Sequence, residues 1–140
     1  MALRVYWANP EKTVLVQRYV PPHNVQEAYD AVRISKERMA EVPHTVHVLN
    51  FVPLAATIQH APKLGLARYA EQNYPPNQGY VFMISNGAPV LKAFTDAVFA
   101  LVPNLDARAQ MLRIHRDEAS ALAELLALTQ IEIDKLPDSG

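Results

Sequence analysis

The chain has 140 residues, half of them hydrophobic and 19% charged, with a net charge of −1. That length suits one domain with a real core, and the profile is that of an ordinary globular protein. Thirteen basic against fourteen acidic residues, well mixed, argue against a nucleic-acid footprint. With no cysteine there is no disulfide framework, thiol nucleophile or cysteine-based zinc site. The opening MALRVYWANPEK turns polar too quickly for a signal peptide. No apolar run approaches a membrane span, so a cytoplasmic protein is expected.

Leu3 to Ala8 alternates, with Leu3, Val5 and Trp7 on one face and Arg4 and Tyr6 on the other. A polar turn over Asn9, Pro10, Glu11 and Lys12 leads into a second alternating run, Thr13 to Val20. Two adjacent strands joined this way predict an antiparallel hairpin. Asn24 is a good N-cap, and Glu27 completes a capping-box-like pair. The helix it opens carries Val25, Ala28, Val32, Ser35 and Met39 on its packed side and Arg33, Lys36, Glu37 and Arg38 on its wet side. It runs to about Val42, where Pro43 stops it.

His44 to Phe51 alternates as a third strand, closed by Pro53. Leu54 to His60 reads as loop. Pro62 to Asn73 predicts a second helix, weakened by Gly65. Tyr80 to Ile84 is a short β-branched and aromatic run between Gly79 and Ser85-Asn86-Gly87, which favours a strand. Pro89 suits a first helical turn. Leu91, Phe94, Val98 and Leu101 then follow at helical spacing, widened by Val90 and alanines until only Lys92, Thr95 and Asp96 are polar. A helix this apolar needs cover on more than one side. Either two other helices flank it, or Val90, Phe94, Val98 and Leu101 form a subunit interface, with a homo-oligomer, a dimer first, as the expectation.

Pro103 closes that helix. Gln110 to Ile114 predicts a fifth strand, Asp117 an N-cap, and Leu122, Leu125, Leu126 and the alanines a final helix. Residues 1–128 form one domain on this reading and 129–140 a tail, with Ile131, Ile133 and Leu136 as candidates to pack on the body. No proline falls inside a strand or beyond the first turn of a helix on this division, Pro89 included.

The expected fold is α/β: a mixed, mostly parallel five-stranded sheet, an N-terminal antiparallel hairpin followed by alternating units, with four helices. Right-handed crossovers wind each helix back onto the sheet. Strands added in sequence collect those helices on one face and leave the other exposed, which the polar residues Gln17, Thr45, His47 and Arg113 would then line.

The pattern resembles the SpoIIAA-like fold, which includes the STAS domains and, more distantly, the lipid-binding CRAL-TRIO domains. The resemblance covers roughly Leu3 to Leu128. It rests on the hairpin, the strand ending VHVLNF, the YVFMIS strand entering an apolar helix, and MLRIH before an alanine-rich last helix. It looks closest to small bacterial STAS-like proteins. STAS antagonists carry an aspartate at the end of the third strand and an Asp-Ser-Ser/Thr-Gly phosphoacceptor motif after it. Here Asn50 and Ile58-Gln59-His60-Ala61 stand in those places, with Thr57 the nearest hydroxyl. A phosphoserine switch at the usual position is therefore not expected.

Chemistry is sparse. No G-x-S-x-G, G-x-G-x-x-G or G-x-x-x-x-G-K-[ST] occurs. His44 and His47 are three apart in a strand and point to opposite faces, and no metal or cofactor is expected. Loops at the carboxyl ends of parallel strands gather together. They offer His23, Asn24, Asn50, Ser85, Asn86, Gly87, His115, Arg116 and Asp117. Of these, Asn50, Ser85, Asn86, Gly87, His115 and Arg116 are the candidate anion or ligand site, with helix N–H groups near Ala88 assisting. The first functional expectation is a non-enzymatic STAS-like interaction or regulatory module whose partner is a protein or a second copy. The alternative is a carrier of a small apolar ligand or an anion. A hydrolase using Ser85 and His115 is the third.

Overall fold

A computed structural model describes residues 3–19, 25–51, 72–85 and 111–133, together with 68, 69, 92, 96 and 136. Five strands form a single sheet: β1 (Leu3–Trp7), β2 (Val14–Tyr19), β3 (Val46–Phe51), β4 (Gln78–Ile84) and β5 (Leu112–His115). They lie in the order β1-β2-β3-β4-β5; β1 and β2 are antiparallel and every other pair is parallel. Two helices are complete among the described residues, against four expected: α1 (Val25–Met39) and α2 (Glu118–Thr129). Most of the stretches 62–73 and 89–102 lies outside the described residues. Arg68, Tyr69, Gln72, Lys92 and Asp96, which belong to them, are helical. Lys92 and Asp96 are exposed and joined by a 2.9 Å ion pair.

The hairpin forms where the alternation predicts it. Asn9 binds its turn by accepting from the Thr13 backbone N–H at 3.1 Å and donating to the Thr13 hydroxyl at 2.7 Å. Lys12 takes the left-handed conformation, φ 57°, which lets the chain reverse and Ala8 N–H donate to Val14 carbonyl. β2 is then buried on both sides, since Val14, Leu15, Val16 and Gln17 are all inaccessible.

That burial corrects the expectation of a bare second face. Val5, Trp7, Leu15, Val46, Val48 and Val81 pack with Met39 and Val42, at the end of α1. Tyr6, Val14, Val16, Leu49, Phe82 and Ile84 pack on the opposite face with Ala121 and Leu125 of α2 and with Leu136. The physical reason lies in connectivity. α1 links two parallel strands, so the right-handed crossover rule constrains it. α2 follows the last strand, has no strand to return to, and is free to cover the other face. The polar residues assigned to an outer face divide accordingly. Gln17 is buried under α1 and its side-chain amide donates to the Ser35 hydroxyl. His47 and Arg113 stand on the α2 side. Thr45 precedes β3 and is exposed.

α1 buries Glu27, Ala31, Ser35 and Met39, one residue every helical turn or so. Its expected wet side carries ion pairs of Arg33 with Asp30 (3.8 Å) and Glu37 (3.3 Å), and of Arg38 with Glu41 (3.5 Å). Burial, then Glu27 and Asp30 close by, push the Tyr19 phenol well above its ordinary range. The far end of α1 is tied by a residue distant in sequence. Asn77 Nδ2 lies within reach of the carbonyls of Met39 (2.9 Å), Val42 (3.3 Å) and His44 (2.9 Å), sharing its two N–H bonds among oxygens at and just beyond the helix end. Tyr69 packs edge-on against Tyr29 at 5.1 Å and Lys36 donates to Asn73, so this part of the β3–β4 connection lies beside α1.

β4 begins earlier than expected, and Gly79 lies inside it. Val46 pairs with Gln78 but Val48 with Val81, so β4 holds an extra residue opposite His47. Glycine is required there by space. A Cβ at Gly79 would stand 2.5 Å from the His47 ring and 2.9 Å from Thr45. After α2, Gln130 takes φ 63° and its N–H donates to Leu126 carbonyl, ending the helix in a left-handed cap. The following Ile131, Ile133 and Leu136 do pack on the body.

Candidate functional site

Among the described candidate residues, two at the carboxyl ends of parallel strands, Asn50 and His115, emerge on opposite faces of the sheet. Asn50 stands in register with Gln17 and Met83, two residues beyond Val48, and so belongs to the α1 face. His115 lies on the α2 face, its ring 6.1 Å from Phe82. The sheet separates them, so these two do not share a site. Ser85 is buried, and its backbone N–H donates to His115 carbonyl at 2.9 Å, continuing the β4–β5 ladder. Arg116 is exposed just beyond β5. Asn86, Gly87, His23 and Asn24 lie outside the described residues, as do Val90, Phe94, Val98 and Leu101.

The His115 ring is occupied by α2. Its Nε2 is 2.8 Å from Glu124 Oε1, and its Nδ1 is 3.1 Å from the Ser120 hydroxyl. A carboxylate oxygen only accepts, so Nε2 carries the proton in that contact. The other oxygen, Glu124 Oε2, is 3.9 Å from Arg113 Nε. The Arg113 guanidinium also lies 5.7 Å from the Tyr80 ring. Tyr80 in turn stacks on His47 at 5.7 Å and donates its backbone N–H to His47 Nδ1 at 2.9 Å. Burial lowers the basicity of His47, because the protonated ring is poorly solvated there. A ribbon of His47, Tyr80, Arg113, Glu124 and His115 thus crosses β3, β4 and β5 and ends on α2.

A second cluster joins the hairpin to the start of α2. Arg18 Nε donates to the Tyr6 hydroxyl at 2.7 Å, the guanidinium lies 4.0 Å from the Phe51 ring, and Nη2 reaches Glu118 at 3.5 Å. Asp117 caps the helix by accepting from Ser120 N–H at 2.8 Å. Ser120 hydrogen bonds hold that carboxylate below its usual range, with the Arg116 and His115 charges assisting.

A hydroxyl, an imidazole and a carboxylate in series have the connectivity of a proton relay. Here the same atoms fasten a helix. Ser120 Oγ also lies 3.2 Å from the Asp117 carbonyl, inside the capping turn, so its single proton serves either that oxygen or His115 Nδ1. The Ser85–His115 pairing is replaced by Ser120 and Glu124, which hold both ring nitrogens of His115. The sequence marks Asp117 as a cap but does not single out Ser120 or Glu124. The available signal was their spacing of four, one helical face, behind a strand ending in histidine.

The price of this arrangement falls on the outside of α2. Glu118 and Glu124 are its only charged residues, and both turn toward cations of the sheet. Exposed positions Ala119, Ser120, Ala123, Leu126 and Ala127 share the outward arc, and none is charged. Leu126 retains 42% of its accessible surface. Asn50 offers a different feature: its Oδ1 is buried and has no hydrogen-bond donor among the described residues.

Fold and site together define an α/β protein with a five-stranded mixed sheet layered between helices, and no described helix is long and apolar enough to cross a membrane. No family model, no curated protein and no solved structure matches the chain.

Proposed function

We propose that this chain is a non-enzymatic protein-interaction module of the SpoIIAA-like, STAS-like kind, working in the cytoplasm and making contact through the outer arc of α2. The observation that carries the reading is the uncharged helix face whose Leu126 stays exposed while both carboxylates of the helix are turned inward. A surface helix normally does the reverse. The sequential strand order with one antiparallel pair supports the fold half of the proposal.

The chain has no cysteine, so Ala123→Cys creates a unique attachment point at the centre of the arc. A photo-crosslinker placed there is expected to capture a protein, identified by mass spectrometry, in a lysate of the cells that make this chain. A label at exposed Arg33 on α1 serves as control. Adducts confined to Arg33, or absent from both positions, would remove the α2 surface from consideration.

The carrier reading keeps one supporting observation. The unpartnered Asn50 Oδ1 at the end of β3 is an acceptor, so it suits a ligand with an N–H or O–H rather than an anion. Native mass spectrometry of the purified protein tests it, since a carrier retains added mass that Asn50→Leu loses.

A further inference from the structure

We infer that the sheet face under α1 holds a ligand site at the carboxyl ends of β2, β3 and β4. Its ligand is a small neutral molecule that presents an N–H or O–H group on an apolar body. The inference rests on the carrier reading above and names the class of ligand.

The strand registers set two neighbouring rows of side chains on this face. One runs Leu15, Val48, Val81 and Leu112 across β2 to β5 and is wholly aliphatic. The next, one step toward the carboxyl ends, runs Gln17, Asn50, Met83 and Ile114.

The change of character extends beyond that row. Among the described residues four polar side chains are buried: Gln17, Glu27, Ser35 and Ser85. Gln17 meets Ser35 of α1. Glu27 lies two turns earlier on the same buried side of that helix, close enough to act on the Tyr19 phenol. Alternation from Met83 puts Ser85 on this face as well. A core built only for stability carries aliphatic side chains, as the row behind does, because every buried polar group needs a partner.

Asn50 shows what the polar end lacks. Its Oδ1 is buried and has no hydrogen-bond donor among the described residues. The donor on the adjacent strand, Gln17 Nε2, is turned to Ser35 instead. An amide oxygen shut off from water without a donor is a cost to the fold, and a ligand that donates to it removes that cost. Beside it, Met83 and Ile114 are only partly buried. From Asn50 to Ile114 the row covers two strand spacings, about 10 Å.

These neighbours select the ligand. Oδ1 is an acceptor, so it gives a carboxylate or phosphate nothing to bind, and the Glu27 charge repels both. A cation would enter a row with no carboxylate on it, and burying an unpaired charge costs far more than burying an amide. What fits is a neutral donor, a primary amide or an alcohol, with its apolar chain over Met83 and Ile114.

Hexanamide, hexanoate and hexylammonium are alike in length and differ in charge. Each is titrated into the nitrogen-labelled full chain at neutral pH and read from the amide resonances of Asn50, Met83 and Ile114. Hexanamide is expected to shift them saturably with a Kd of about 1 mM, the scale of a ligand of its size, and the two ions to bind about tenfold more weakly or not at all. Asn50→Leu is expected to weaken hexanamide about tenfold, while its urea midpoint stays equal or rises because an unpartnered acceptor is gone. A midpoint that falls sharply would show that Oδ1 is satisfied within the fold and overturns the site. So does a variant that binds hexanamide as the wild type does. Tighter binding of either ion, or no response to hexanamide, overturns the neutral class. The carrier reading is judged separately: added mass in native mass spectrometry that Asn50→Leu loses, without a hexanamide response, sinks the class and keeps the site. Neither added mass nor response sinks both.

Discussion

α1 wears its charges outside, except Glu27 in its first turn. Arg33, Lys36, Glu37 and Glu41 face water, Arg33 pairing with Glu37 and Arg38 with Glu41, while Ala31, Ser35 and Met39 go in. α2 is built the other way for its polar groups: Glu118 and Glu124 reach inward, and alanines and Leu126 look outward. The difference originates in the sheet. The face under α1 is aliphatic, from Val5 across Leu15 and Val48 to Val81, with Gln17 satisfied by Ser35. The face under α2 adds Arg18, Arg113, His115 and His47 to its apolar core. Donors that are partly removed from water need acceptors, and α2 turns Glu118 toward Arg18 and Glu124 toward Arg113 and His115. The lesson is that a helix's exposed face can be set by what its neighbour demands. Here that demand leaves an uncharged surface.

The largest test of this contrast is Phe82→Ala. Phe82 is fully buried at the centre of the α2 face, and its loss should cost about 3–5 kcal/mol in urea unfolding. A cost under about 1 kcal/mol would show that this face is not a packed core. Gly79→Ala comes next. The added methyl must displace a His47 ring that is held by the Tyr80 N–H, so about 1–3 kcal/mol of destabilisation is expected. An unchanged midpoint would mean the ring swings aside freely, and the ribbon is looser than drawn.

Glu124→Gln and Glu37→Gln sharpen the comparison directly. Glu124 is half-buried between Arg113 and the His115 ring and should cost about 1 kcal/mol. Glu37 is exposed on α1 and should cost about 0.3–0.5 kcal/mol, most of it lost in high salt. Equal costs would erase the distinction between the helices.

The smallest effect is a pH dependence. His47 binds its proton less readily in the folded chain than the usual 6.5, so the unfolded chain takes up a proton first as pH falls. The contribution is fully present above about pH 6.5 and is lost as pH falls through the lower folded value. Urea midpoints from pH 7.5 down to 5 should fall more steeply for the wild type than for His47→Gln, whose amide oxygen still accepts from Tyr80. Parallel curves would show that His47 is as accessible to protons folded as unfolded.

Much of the architecture is legible in the sequence. The alternation of Leu3 to Ala8 and Thr13 to Val20, with a polar turn between, predicts the hairpin that forms. Val46 to Phe51, the Tyr80 run and the Asp117 cap were placed within a few residues. What misled was the assumption that polar residues at alternate strand positions mean a wet face. Gln17 and Arg113 are polar for different reasons, one bonded to Ser35 and the other facing Glu124. Gly79 read as the boundary of a strand, when it is the residue that makes room for His47 inside one. Asn50 and His115 both follow the carboxyl-end rule, yet the rule does not say on which face of the sheet a side chain emerges.

By itself the sequence determined the local geometry: which segments extend, which coil, where prolines and caps interrupt them, and that the first two strands pair antiparallel. These follow from side-chain period and backbone sterics, which act over a few residues. Only the tertiary structure decided that α2 covers the face opposite α1, that Glu118 meets Arg18 a hundred positions earlier, and that Asn77 closes the end of α1. Periodicity reports that a helix has an inner side. Which charges wait there, and therefore what is left outside, depends on how the sheet is stacked.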